Sequence, residues 1–280
     1  MIATMMVGIG GVKRMVYHLC EGFVRGSSET TLRASSHQGA IGAAMYVDGT
    51  TLGLDGTIGA FIIPGMLSAY RATNSRSYLD SAERAFRFYH EEFEELGFTT
   101  VGALDTDCID KESAWPLLHS GLTLFSITKD RGYVSAAEAA AYYTATWQYH
   151  HTVPIPPDGM LAAMQYDSFG GTAVSTQHHH RDPWAVRFVP AYLKLAELTG
   201  NDIWAQRAEA SWCNGMTGVS DGTLVLAGVR LPRGTRCEGS FHRRWQDPGN
   251  ASLWLVAWPT AFRSEVLREL SDWSVLPAKV

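Results

Sequence analysis

The sequence predicts an all-α protein built from a ring of helical hairpins, with a β-hairpin inserted between two helices. Three observations predict it. A polar turn with the same neighbours recurs three times, the helices on its two sides differ in polarity, and proline recurs within the apolar ones.

The recurring turns lie in "ATNSRSYLDSAERA", "ITKDRGYVSAAEAA" and "LTGNDIWAQRAEAS". Each places a Thr, an aromatic five residues later, and an Ala-Glu pair beginning four residues after that: Thr73/Tyr78/Ala82/Glu83, Thr128/Tyr133/Ala137/Glu138 and Thr199/Trp204/Ala208/Glu209. The order predicts a short turn between two helices, with the Ala face of the second packed closely on a neighbour.

Taken from the N-terminus, "VKRMVYHLCEGFVRG" predicts an outer helix. "RASSHQGAIGAAMYVDGTTLGLDG" is rich in Gly, Ser and Thr and predicts a long loop. Inner helices are expected to start at Asp55, Asp110 and Asp182, each 17 or 18 residues before the Thr of its turn. Asp is a good N-cap, and Pro183 suits a first turn. "GTIGAFIIPGMLSAY" and "DPWAVRFVPAYLKLAEL" are apolar nearly all round, which predicts burial on most sides, whereas "SYLDSAERAFRFYHEEFEEL" is amphipathic and predicts an outer layer. Pro64, Pro190 and Pro259 each precede an apolar residue by three and are expected as kinks inside packed helices, and Pro116 sits early in its helix. Pro259 follows Asn250 by the nine residues that separate Pro64 from Asp55, so "NASLWLVAWPTAFRSEVLREL" predicts a fourth inner helix. Before it, "GVSDGTLVLAGVRLPRGTRCEGSFHRRW" alternates β-branched and small residues around turn formers, which predicts the inserted β-hairpin. The total is about eight helices.

Composition limits the function. The chain has 280 residues, 46% of them hydrophobic, enough for a sizeable core. Its net charge is −5, with no run of Lys or Arg, which argues against nucleic acid as a partner. Cys20, Cys108, Cys213 and Cys237 are far apart and form no CxxC pair, so free thiols in a reducing compartment are expected. "MIATMMVGIGGVKRM" has its positive charges after the apolar stretch and is too short to span a bilayer. No membrane partner is expected, and the cytoplasm is the default location. A start inside a longer parent protein would hide any leader.

Inner helices that point the same way gather their N-termini at one mouth, and the least ordinary chemistry of the chain falls at those starts. Around the second, Asp105, Asp107, Asp110 and Glu112 are four carboxylates within eight residues, followed by Trp115. Crowded carboxylates suit general acid–base work. If Asp110 serves as a cap, Glu112 is the better catalytic candidate. At the third start, His178, His179 and His180 precede Asp182 and Trp184. Adjacent side chains diverge, so a metal held by the triplet is not expected, nor is a calcium loop around Asp105, where the sharp-turn Gly is missing. Neutral imidazoles can instead bind sugar hydroxyls or move a proton, with His179 the candidate base. Asp55 stands at the first start. Near the fourth, Glu238, His242, Arg243, Arg244 and Trp245 add a carboxylate, an imidazole, guanidinium groups and an indole. Aromatic faces beside carboxylates, His and Arg are what a carbohydrate pocket requires.

The stretches "CIDKESAWPLLHSGLTLF", "TAVSTQHHHRDPWAVRFVPAYLKLAELTG" and "SDGTLVLAG…EGSFHRRW…WLVAWPTAF", within residues 55–270, resemble the six-hairpin glycosidase superfamily of (α/α) toroids. That resemblance implies one toroidal catalytic-type domain over 1–280, acid and base carboxylates at inner-helix starts, and an oligosaccharide substrate without a cofactor. About eight helices are fewer than a full toroid has, which implies an open ring or the C-terminal part of a longer parent. The leading expectation is a glycoside hydrolase acting on an oligosaccharide that includes uronic acid, with Asp110 or Glu112 as acid and Asp55, Asp182 or Glu238 activating water. A lyase or epimerase using His179 as base, and a carbohydrate-binding fragment without catalysis, are the alternatives.

Overall fold

The computed structural model describes residues 56–100, 108–176, 181–226, 228–236, 240–243, 247–251 and 258–277. The all-α class stands: helices dominate, and the strands are short antiparallel pairs. The chain divides into two compact units, Met1–Tyr143 and Thr144–Val280.

In the first unit, a 3-10 turn over Thr57–Ile62 runs into helix α1 (Ile63–Thr73), which is followed by α2 (Arg76–Leu96). Strands β1 (Thr99–Thr100) and β2 (Ile109–Asp110) pair antiparallel, with Thr99 opposite Asp110. Helix α3 (Ala114–Thr128) and most of α4 (Gly132–Thr146) complete the unit. The polarity pattern is obeyed. Ten successive positions of α3, Ala114 to Thr123 save His119, are buried, and Leu124 with them, so this helix is enclosed on most sides. In α2 the buried residues Leu79, Ala82, Phe86, Tyr89 and Phe93 follow a spacing of three or four, which leaves its charged face to water.

The second unit holds the short helix α5 (Met160–Ala163), then strands β3 (Thr172–Ala173) and β4 (Arg181–Asp182). A 3-10 turn over Trp184–Phe188 leads into α6 (Val189–Thr199), which is followed by α7 (Ile203–Met216). Strands β5 (Val225–Leu226) and β6 (Val229–Arg230) form one hairpin. Strands β7 (Ser240–Arg243) and β8 (Asp247–Ala251) form another and join β3 and β4 in the order β3-β4-β7-β8. Helix α8 (Trp258–Glu269) and a terminal 3-10 turn, Trp273–Val275, close the described chain. At the centre, Tyr192 of α6 stacks on Trp204 of α7 with ring centroids 5.5 Å apart, and both are almost wholly buried.

The predicted turn motif is one structure used three times. Thr73, Thr128 and Thr199 each donate a hydroxyl hydrogen bond to the carbonyl four residues back, at 2.7, 2.9 and 2.7 Å. Each hydroxyl also accepts the N–H two residues on, at 3.2 Å in every case. The intervening residue, Asn74, Lys129 or Gly200, is left-handed and donates its N–H to the carbonyl four residues before. One hydroxyl thus satisfies a carbonyl at the end of one helix and an N–H at the start of the turn. The Ala that follows in the second helix is buried each time, at Ala82, Ala137 and Ala208.

Several expectations are corrected. Pro64 and Pro190 do not kink helix interiors. Each is the second residue of its α-helix, where a missing N–H breaks no i→i−4 bond, and both mark the change from 3-10 to α geometry. Asn250 does not start a helix: it lies in β8, paired with Phe241. The predicted insertion is two hairpins rather than one. The expected outer helix over 12–26 and the loop over 33–55 lie outside the described residues.

Close packing behind the second repeat can be tested at Gly121 of α3. A Cβ there would lie 2.9 Å from the Tyr133 carbonyl oxygen and 3.0 Å from Ala137 Cβ. Gly121→Ala is therefore expected to lose about 1–3 kcal/mol in denaturant unfolding through overpacking. Helix propensity alone predicts a gain of about 1 kcal/mol, so the sign of the change decides.

Candidate active site

The start of α3 is built from hydrogen bonds that fix backbone before side chains. Asp110, fully buried, accepts the N–H of Glu112 (2.8 Å) and of Ser113 (3.2 Å) on one carboxylate oxygen. This is capping geometry supplied from a strand, one turn ahead of the helix. The Asp110 carbonyl accepts the hydroxyls of Thr99 (2.7 Å) and Tyr143 (2.6 Å). Ser113 donates to the Thr100 carbonyl (3.0 Å), and the Thr57 hydroxyl donates to that same carbonyl (3.1 Å) while accepting the Thr100 N–H (2.9 Å). The 3-10 start of α1, strand β1 and the start of α3 are thereby tied at one point.

Two charged side chains project from this fixed turn. Lys111 is fully buried, and its Nζ lies 3.3 Å from Glu112 Oε1; the Glu112 side chain is 13% exposed. Burying an ammonium away from water is costly unless a charge or acceptors meet it, so the pair belongs to the design of the turn. One helical turn beyond Glu112, Trp115 stacks on His119 (centroids 4.9 Å apart, 22° between planes) and on Phe61 (6.2 Å, 27°).

The second unit repeats the device. Asp182 on β4 faces Thr172 on β3, as Asp110 faces Thr99. Its Oδ1 accepts the Thr172 hydroxyl (2.7 Å) and the Trp184 N–H (3.1 Å), and it too has a buried cation beside it, Arg181, whose guanidinium carbon lies 5.6 Å from the Tyr149 ring centre. Burial pushes the Tyr149 hydroxyl above its ordinary pKa, opposed by Arg181 and assisted by Asp182. Trp184 packs edge-on to Phe262 (5.2 Å) and beneath Arg187 (5.6 Å).

Of the residues singled out from sequence, Asp110, Glu112 and Trp115 share one turn and the helix it opens, and Asp182 and Trp184 share another. Asp110, Trp115, Asp182 and Trp184 are all buried. His242 and Arg243 lie in β7, with Arg243 opposite Asp247. Asp55, Asp105, Asp107, His178, His179, His180, Glu238, Arg244 and Trp245 lie outside the described residues. Among the described residues no group of three or more His, Cys, Asp or Glu side chains could hold a metal ion, and no helix is long and apolar enough to cross a membrane.

Sequence reasoning missed the buried cations. Lys111 and Arg181 stand beside the capping aspartates, and adjacency to a cap was the available signal. Arg236 and Arg263 are a second case. Both donate to the Gly215 carbonyl at the C-terminal end of α7, at 2.6 and 3.0 Å, where the helix dipole favours positive charge. Burial, and then the charge of Arg236, lower Arg263 to about 10.

No protein-family model and no curated protein matches this chain. Among solved structures, it is similar to a glycoside hydrolase family 76 mannosidase from Bacteroides thetaiotaomicron VPI-5482, at 15% identity and a TM-score of 0.42. The match covers 62% of this chain and 46% of that one, so the chain spans less than half of the matched structure's length.

The capping role of Asp110 makes a stability prediction. Asp110→Ala leaves two N–H groups without their acceptor and is expected to cost about 2 kcal/mol or more in denaturant unfolding, whereas Asp110→Asn, which keeps an acceptor oxygen, costs less. Equal stability of Asp110→Ala and the wild type would remove Asp110 from this role.

Proposed function

We propose that this protein is a glycoside hydrolase acting on an oligosaccharide, with its hairpins arranged as an (α/α) toroid and with Glu112 as one of its catalytic carboxylates. The observation that carries the reading is the setting of Glu112. Its side chain is 13% exposed, is paired with a fully buried lysine, and stands on a turn whose two N–H groups are held by Asp110. A carboxylate that merely solvates a surface needs none of this, whereas one that must meet a glycosidic bond in a single orientation does.

In this reading Asp110 and Asp182 are positioning residues. Each spends an oxygen on backbone N–H groups at a helix start and has less capacity left for proton transfer. The second catalytic carboxylate is sought in Asp55 or Glu238, the remaining candidates from the sequence. His178, His179, His180, His242, Arg243 and Trp245 remain proposed substrate contacts, and the imidazoles and guanidinium groups among them suit sugar hydroxyls and a uronate carboxylate. Trp115 and Trp184 shape the walls from within the core.

A panel of aryl glycosides and uronides tests the proposal. Turnover of at least one member is expected, falling about 100-fold or more in Glu112→Gln while the far-ultraviolet circular dichroism is retained. Failure of a well-folded protein on the whole panel, or turnover undiminished in Glu112→Gln, rejects it. A product absorbing near the ultraviolet band of an unsaturated uronide would transfer the chain to the lyases.

A further inference from the structure

We infer that Lys111 is a positioning residue that holds the Glu112 carboxylate in place as an anion, which makes Glu112 the base or nucleophile of the carboxylate pair and not its proton donor. The inference rests on the hydrolase reading above and deepens it by dividing the roles.

The argument starts from burial. Asp110 and Lys111 are fully buried and Glu112 is nearly so. The Asp110 carboxylate accepts two backbone N–H groups, and the Lys111 ammonium lies 3.3 Å from Glu112 Oε1. An ammonium at that distance stabilises the charged form of a carboxyl group, and in a site shielded from water the effect is larger than on a surface. A general acid must carry a proton when the substrate arrives. A base that activates water, or a nucleophile that attacks the anomeric carbon, must be charged then. The Lys111 contact favours the second condition. The turn also sets direction: the Glu112 and Ser113 N–H groups are fixed by Asp110, and the contact with Lys111 restrains the Glu112 side chain.

Leaving-group and rescue chemistry separate the two roles on whichever glycoside the wild type turns over. A dinitrophenolate departs without a proton. If Glu112 were the acid, Glu112→Ala would therefore retain the dinitrophenyl glycoside and lose the poorer leaving groups. As the base or nucleophile, Glu112→Ala is expected to lose both, by about 100-fold or more. Added azide should then restore turnover of the dinitrophenyl substrate: azide forms a bond to the anomeric carbon as the C–O bond breaks, and the electron pair leaves with the phenolate, yielding a glycosyl azide.

For Lys111, Lys111→Met is expected to lower kcat up to about 100-fold with KM little changed, and Lys111→Arg, which keeps the charge, to recover most of it. Independently of turnover, the Tm of Lys111→Met should fall, and adding Glu112→Gln to it should recover part of the loss. Retention of the dinitrophenyl glycoside by Glu112→Ala overturns the assignment of roles while leaving the hydrolase reading intact. Full additivity of the Tm losses of Lys111→Met and Glu112→Gln overturns the pairing. Wild-type failure on every glycoside rejects the hydrolase reading, and this inference with it.

Discussion

The acceptance of two backbone N–H groups by one oxygen of Asp110 is the constraint on which the rest of the first unit depends. It ends a strand and begins a helix within three residues. Because Asp110 is fully buried, water does not compete for that oxygen. Thr99, Thr100, Ser113, Tyr143 and Thr57 extend the constraint by hydroxyl and backbone bonds, so that three elements share one anchor. Glu112 inherits its placement from this anchor, and Lys111 restrains what the backbone leaves free.

The second unit solves the same problem with the same parts. A threonine on one strand faces an aspartate on the next, the aspartate accepts an N–H two residues on, and a buried cation sits beside it. The chemistry differs in one respect. In the first unit the threonine hydroxyl donates to the aspartate's carbonyl, and in the second it donates to its carboxylate. The Asp182 oxygen is therefore shared between a side chain and the backbone. Alongside the threonine turn, this gives the α3–α4 and α6–α7 hairpins a fixed entrance and a fixed bend, both made by short polar side chains acting on backbone groups.

Much of this was legible in the sequence because it is local. The Thr, aromatic, Ala-Glu order encodes hydrogen bonds that span at most four residues, and the polarity of the helices follows from helical period alone. The cap at Asp110 was also legible. Other features depend on contacts distant in sequence. Nothing near Pro64 or Pro190 says that the preceding turn is 3-10, so each proline reads as interior when it in fact starts an α-helix. Asn250 reads as a cap, yet pairing with Phe241 makes it part of a strand. Lysines are rarely fully buried, so nothing in the sequence singles out Lys111, which is enclosed in the fold. Asp55, His178–His180, Glu238 and Trp245 lie outside the described residues.

The central claim is that the turn from Asp110 to Ser113 is a rigid platform, and native-state hydrogen exchange at its amides tests it most directly. The account predicts that the Glu112 and Ser113 N–H groups exchange as slowly as the amide of Leu118, deep in α3, through the same cooperative opening. Exchange at the rate of an exposed loop amide such as Thr223 would contradict it, because a turn that opens freely cannot hold the Glu112 side chain in one place.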